Sequence, residues 1–215
     1  PAPFQAVPPV HVFAGFITYC AQQAVIGGYG DGTFRPSCTL TGNAFMKMLL
    51  GALGYDSSIE GYTGSNWQVN VVKQAIGIGL DDGNDDFVGS KAVTRQEAAL
   101  YAFNMLQATM VEYDQKSTIV VGDVQVNTSS TRSDVANATR TDGNIDNDNK
   151  MQFAEKYFTD LNRVDGSDDF GRPSNVWEYK NDEIGTYANT DDLVETYTAK
   201  VTSADVYSAV GKSVY

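Results

Sequence analysis

The chain has 215 residues, of which 42% are hydrophobic and 11% aromatic, enough for two compact units with real cores. Asp and Glu number 27 against 15 Lys and Arg, a formal net charge of −12, which disfavours nonspecific nucleic-acid binding and attachment to an anionic membrane through a basic face. No run approaches the roughly 18 apolar residues of a membrane span, and the PAPFQAVPPV opening reads as a processed or excised end, so the lack of a signal peptide does not argue for the cytoplasm.

In chain order, Phe13, Phe16, Ile17, Cys20, Ala21 and Ala24 recur at helical spacing before Gly27-Gly28. A turn-rich stretch, Gly28 to Pro36, then leads to Thr41, a predicted N-cap, and to Phe45, Met48, Leu49, Ala52 and Leu53 on one helical face, with Gly54 as the stop. The pattern returns. Trp67, Val71, Val72, Ala75 and Ile76 predict a helix before Gly79, the acidic turn Asp81-Asp82-Gly83-Asn84-Asp85-Asp86 follows, and Thr94 and Glu97 form a capping box for a helix through Gln107. Thr41 and Thr94 lie 53 residues apart, and Phe34 and Phe87 precede them by seven residues each. The N-terminal half therefore reads as a repeated helix, connection, helix unit spanning about 10–56 and 62–108, with an expected core of Phe16, Ile17, Phe45, Leu49, Trp67, Val71, Leu100 and Phe103.

The glycines do not form a phosphate loop: no GxGxxG sits between strand and helix and no GK[ST] follows, so they supply turns. Cys20 and Cys38 lack CxxC spacing, and either a disulfide or two free thiols is compatible with their positions. His11, the sole histidine, has no HExxH context and reads as structural.

Beyond Gln107 the periodicity changes. Thr109 to Tyr113 and Ser117 to Asn127 have β character, with Gly122-Asp123 joining two short strands; 129–149 reads as a polar, mobile excursion. Lys150 to Phe158 predicts a short helix and Asp165 to Asp169 an acidic turn. A hairpin is predicted from Val176-Trp177-Glu178-Tyr179 and Glu183 to Tyr187, with Lys180-Asn181-Asp182 as its turn. A strand at 196–201 and a helix at 203–210 complete the reading. The predicted class is α+β: tandem helix-loop-helix modules over 1–109, then a small β-rich extension with short helices over 110–215. Alternation places Trp177 and Tyr179 on one face, expected to dock on the helical modules or on the 120–126 ribbon.

Asn144, Asp146, Asp148 and Glu155 have the 1, 3, 5, 12 spacing of a calcium loop, but Asn149 replaces the expected glycine. Asp81 and Asp85, within the acidic turn, are the other weak calcium candidates; otherwise no cofactor is expected. Carboxylate pairs such as Asp168-Asp169 or Glu178 with Glu183 could be imagined in a hydrolase, yet such pairs arise readily among 27 acidic residues, and no GxSxG elbow is present. Catalysis is the minor alternative.

The stretch GYGDGTFRP from Gly28 to Pro36, followed by Leu40-Thr41, resembles the signature of S-layer homology modules, and Val93-Thr94-Arg95-Gln96-Glu97 resembles their TRAE-type motif. FGRPxxxWxYKxxxIGTY, from Phe170, resembles a segment that accompanies such modules in Firmicutes surface proteins. The first resemblance covers roughly Val10 to Gln107. It implies a secreted, cell-wall or S-layer associated, non-catalytic module that tethers a larger protein noncovalently to a negatively charged secondary cell-wall polysaccharide. By the same resemblance Arg95 matches the motif arginine of the glycan groove, while Gly42 stands at that place in the first copy. Tyr29, Asp31 and Trp67 join Arg95 as glycan-binding candidates, and Thr41, Thr94 and Glu97 are helix-cap residues. The competing expectation is a degenerate spacer, or a module binding another surface protein, without glycan affinity.

Overall fold

The computed structural model describes residues 4, 7–8, 10–29, 31–114, 118–121, 124–127, 130–137 and 144–189. Four helices form the N-terminal half: α1 (Ala14–Gln22), α2 (Gly42–Ala52), α3 (Trp67–Gly77) and α4 (Arg95–Gln107). The starts of α1 and α3, and those of α2 and α4, are each 53 residues apart, so the sequence spacing is a spacing of helices. Both second helices begin at the predicted caps. Thr41 Oγ1 accepts from the Ala44 N–H at 3.3 Å, while Thr94 Oγ1 accepts from Glu97 N–H and the Glu97 carboxylate accepts from Thr94 N–H at 2.7 Å. Only the second copy has the reciprocal bond, because Ala44 stands where Glu97 does.

The main core joins α2, α3 and α4 through Met46, Leu49, Leu50, Leu53, Val71, Ala75, Leu80, Tyr101 and Met105. Phe45, Trp67 and Leu100 pack at its margin. A second cluster gathers α1 through Ile17, with Phe4, Val7 and Ile26, against Phe34 and Met48. Phe16, expected in the core, is instead 73% exposed. It neighbours Ile17, and successive helical residues point about 100° apart, so a helix covered on one side cannot bury both. Val12 and Tyr19 lie outward with it.

Antiparallel strands β1 (Val111–Tyr113) and β4 (Arg132–Asp134) pair beside the helices, and β2 (Thr118–Val121) pairs with β3 (Val124–Asn127). The latter register places Val121 opposite Val124, as a two-residue connection requires. The short helix α5 (Phe153–Tyr157) precedes a meander of β5 (Leu161–Ser167), β6 (Pro173–Tyr179) and β7 (Asp182–Ala188), in sheet order β5-β6-β7. Lys180 and Asn181 take φ of 54° and 68°, the two positive values that a tight hairpin with right-handed strand twist demands. Asp165 lies within β5, so the acidic turn falls later, where Asp168 caps the loop to Arg172. The expected elements at 196–201 and 203–210 lie outside the described residues.

The 129–149 stretch is not one loose excursion. Its described parts include β4, a bridge between Ala136 and Lys150, and a buried Ile145. What ties them in is backbone pairing and one apolar side chain, neither visible in a composition dominated by Ser, Thr, Asn and Asp. The helical half and the extension are continuous: Met110 and Val111 are buried in the main core, and Val111 N–H donates to Leu53 O at 2.9 Å. At that junction Gly54 has φ of 103°, and a Cβ there would overlap Val111 O. Only glycine serves at this position.

Phe103, also expected in the helical core, faces the other way. Its ring centroid is 5.1 Å from that of Trp177 and 5.6 Å from that of Tyr187, and with Leu106 it packs on a cluster of Ile145, Ala154, Leu161 and Trp177. Trp177 is 3% exposed, so the expected docking on the helical half takes place. Tyr179 is exposed at the strand end, beyond a register shift between Trp177 and Glu178 that breaks simple alternation.

Truncating Leu50 to Ala is expected to cost about 2–5 kcal/mol, whereas Phe16→Ala stays within about 0.5 kcal/mol. Urea unfolding followed by circular dichroism measures both. Phe103→Ala should red-shift the Trp177 emission before global unfolding, and an unchanged spectrum would contradict the packing described.

Candidate functional site

The Gly28 to Pro36 turn is a closed hydrogen-bonded unit. Tyr29 N–H donates to Thr33 O at 2.7 Å and Gly32 N–H to Tyr29 O at 2.9 Å. Asp31 Oδ1 accepts from Thr33 N–H at 3.0 Å and from Thr33 Oγ1 at 2.6 Å, while its other oxygen holds the Arg35 guanidinium. That guanidinium also lies 4.3 Å from the centroid of the Tyr29 ring. Asp31 and Tyr29 thus face Arg35, and the turn presents a neutralised ion pair. The Thr33 hydrogen bonds, followed by Arg35, hold the Asp31 carboxyl down to about 2 from an ordinary 3.8.

The starts of α2 and α4 lie side by side. Thr41 bridges Ala92, Gly42 N–H donates to Lys91 O at 2.9 Å, Asn43 N–H to Gly89 O at 2.7 Å, and Val93 N–H to Leu40 O at 2.9 Å. The loop from Phe87 to Val93 therefore lies across the first turn of α2. A Cβ on Gly42 would meet Phe87 at 3.0 Å and Gly89 Cα at 3.2 Å, and one on Gly89 would overlap the Asn43 amide. A side chain at Gly42 would therefore require Phe87 and Gly89 to give by a few tenths of an ångström, whereas Arg95 stands at the corresponding place 53 residues later. It is exposed at the start of α4, and its guanidinium has no partner among the described residues.

Trp67 opens α3 and is half-buried against the main core, with Lys47 Nζ 5.4 Å from its ring centroid. Lys47 Nζ also donates to Tyr62 O at 2.7 Å, and partial burial pulls its pKa below the ordinary lysine value. Among the described residues no contact joins Tyr29, Trp67 and Arg95 to one another. The sequence candidates are spread over the turn before α2 and the first turns of α3 and α4.

Asn144, Asp146, Asp148 and Glu155 take part in other bonding. Glu155 is buried, and both carboxylate oxygens are taken by N–H donors: Ile145 at 3.1 Å and Asp146 at 3.3 Å on one, Gln152 N–H at 3.3 Å and Asn137 Nδ2 at 2.9 Å on the other. Asp148 Oδ1 accepts from Lys150 N–H and Gln152 Nε2, Asp146 from Asn147 N–H, and Asn144 donates to Thr159 O. Around the turn holding Asp81 and Asp85, Asn84 Nδ2 donates to Tyr101 OH at 2.6 Å and Asn104 to Leu80 O and Asp82 O. Among the described residues no three His, Cys, Asp or Glu side chains converge on one metal position. Asp168 is paired with Arg172, and Glu178 stands directly across from Glu183 in the β6–β7 ladder. Cys20 and Cys38 are free thiols, so the disulfide weighed from the sequence is not formed. His11 Nδ1 accepts from Phe13 N–H ahead of α1, a local structural role.

Sequence reasoning missed a further polar constellation. Arg132 of β4 reaches back to Glu60 at 3.0 Å and to Gln74 at 3.2 Å, its guanidinium 5.2 Å from the Tyr55 ring centroid. Tyr113 OH donates to Glu60 at 2.7 Å, and burial pushes its pKa upward. Arg132 is 58 residues from Gln74 in sequence, and no local spacing rule links them.

Because the folded pKa of Asp31 is depressed, its contribution to stability is present above the unfolded value of 3.8 and is lost as pH falls from there through about 2. A carboxyl NMR titration should place its midpoint near 2. Thr33→Val, which removes the hydroxyl hydrogen bond, and Arg35→Gln, which removes the ion pair, are each expected to raise that midpoint. An unchanged midpoint in either variant would contradict this account of the turn.

No curated protein and no solved structure gives a match to the chain. A family match covers the first helix, the hydrogen-bonded turn and the start of α2: residues 7–42 match the S-layer homology domain.

Proposed function

We propose that this chain is a non-catalytic cell-surface module that holds a larger protein on secondary cell-wall polysaccharide. The family match at 7–42 supports the class, because S-layer homology domains anchor proteins to cell-wall polysaccharide. In this reading the helix, connection, helix unit at 62–108 is a second, diverged copy, and 110–215 is an extension that covers it. The observation that carries the glycan role is Arg95: an exposed, unpaired guanidinium at a helix start in an acidic chain, beside the loop that joins the two copies. A planar donor fork engages a sugar carboxylate in two parallel hydrogen bonds, and the positive end of α4 adds to the attraction.

A second reading rests on the first copy. There Arg35 is neutralised by Asp31, and Gly42 stands where the motif cation would be. Between 10 and 56 Asp31 and Asp56 balance Arg35 and Lys47, so this copy offers an anionic polymer no net attraction, which favours a spacer that positions its neighbours without binding glycan itself. Sedimentation with purified wall material, with and without its secondary polymer, separates the two. The anchor reading expects binding only to polymer-bearing walls, and loss of at least ~10-fold in affinity for Arg95→Ala with unchanged melting. Equal binding to both preparations, or none to either, would leave the spacer.

A further inference from the structure

Helix α1 turns an open apolar stripe to solvent. Val12, Phe16 and Tyr19 follow one another at helical spacing and are 78%, 73% and 63% exposed, with Val10 and Phe13 also exposed beside them. Because one aromatic side chain alone carries roughly 150–250 Å² of surface, the five residues present on the order of 600 Å² per copy, at the top of the range for the largest apolar patch on a monomer. The corresponding side of α3 also exposes Val69 and Ile76, but its side chains are smaller and the exposed Lys73 flanks them.

Repeat geometry and charge decide what covers this stripe. On α3, Trp67, Val71 and Ala75 enter the core shared with α2, and the residues 53 positions earlier are Ala14, Thr18 and Gln22. A further unit seated on α1 as α2 is on α3 would cover those three and leave Phe16 and Tyr19 open, roughly 100° or more away round the helix. Charge then selects among other partners. Residues 10–29 contain no Asp, Glu, Lys or Arg, in a chain with 27 acidic and 15 basic residues. A basic partner finds no carboxylate on this helix, and an anionic membrane finds no cation. Two copies of net charge −12 repel through most of their surfaces, so a neutral apolar face is where they can meet without opposing like charges.

We propose that the outer face of α1 is a contact between two copies of this chain, each laying Val12, Phe16 and Tyr19 against the same face of the other about a two-fold axis. Such a contact is closed, because the one patch serves both partners. Gly15 borders the stripe, and a Cβ there meets nothing within 4 Å, so the backbone is open to close approach on that side. Two faces of this size bury on the order of 1,200 Å² in total, the lower edge of a standard interface, which makes the association concentration-dependent. The contact uses none of the glycan-binding candidates and stands without the anchoring role.

Analytical ultracentrifugation of the full chain, from about 5 to 500 µM, is expected to show the mass rising from one copy to two, with a midpoint on the order of 10–100 µM. Added sodium chloride should tighten the dimer, because it screens the repulsion between two acidic copies; a contact made by opposite charges would weaken instead. Phe16→Gln and Tyr19→Lys each alter an exposed side chain, so both should leave the melting of the dilute protein unchanged while weakening the dimer by at least ~10-fold. Val69→Lys, on the other first helix, should leave dimerisation at the wild-type level. A monomer throughout the concentration range, a dimer that Phe16→Gln and Tyr19→Lys leave intact, one that Val69→Lys abolishes, or one that salt dissolves would overturn the proposal. No wall material enters this measurement and Arg95 is untouched in it, so it and the wall sedimentation can fail independently.

Discussion

The outer face of each second helix has to be covered by whatever follows it in the chain, and the rest of the structure is arranged around that need. On α2, Met48 turns towards the α1 cluster of its own unit, while Leu50 and Leu53 turn towards α3 and α4. The same positions on α4, 53 residues later, are Tyr101, Phe103 and Leu106. Tyr101 is buried with α3, again within its own unit, but Phe103 and Leu106 meet Trp177, Leu161, Ala154 and Ile145. A unit that cannot bury both faces alone depends on its neighbour. Here the three-stranded meander and α5 take the place on α4 that the second unit takes on α2, and a sheet has been substituted for a pair of helices at an equivalent surface.

That substitution explains why the extension is bound so closely to the helices. Trp177 brings a large apolar surface to Phe103, the kind of aromatic contact that adds geometric preference to area burial. Val111 joins the main core beside Leu53, and Arg132 returns to Glu60 from β4. The Arg132 and Glu60 pair is only partly exposed and is braced by Tyr113 and Gln74, so it serves better as a positioning device than an isolated surface ion pair would. Removing the extension would uncover Phe103 and Leu106 and unbrace Glu60 in one step.

Local chemistry was legible in the sequence, and relations across the chain were not. Thr41, Thr94 and Glu97 announce their helices because capping is decided within four residues, and the Lys180-Asn181 turn follows from the residues beside it. The 53-residue offset was equally visible, since it needs only a comparison of the chain with itself. Which face each helix buries was harder. Phe16 and Ile17 are both apolar, and only the location of α1's cover decides that Ile17 is inside. Phe103 reads as core under any helical pattern; its partner lies 74 residues on, at Trp177. Glu155 has calcium-loop spacing, yet the same carboxylate geometry suits backbone N–H groups, and spacing alone does not distinguish the two kinds of partner.

Charge placement brings the two units into contrast. In the first, the cation of the turn is spent internally: Arg35 lies over Tyr29 and against Asp31, and Gly42, 53 residues before Arg95, is closely approached by Phe87 and Gly89. In the second, Arg95 is left uncommitted beside the same loop. The loop that crowds Gly42 is thus the loop that leads into Arg95. An anionic ligand approaching the start of α4 would meet the Arg95 guanidinium there, with its field reinforced by the helix start. Specificity at such a place depends on the orientation of one planar fork more than on total charge, and the Thr94 and Glu97 capping box sets the backbone from which that fork projects.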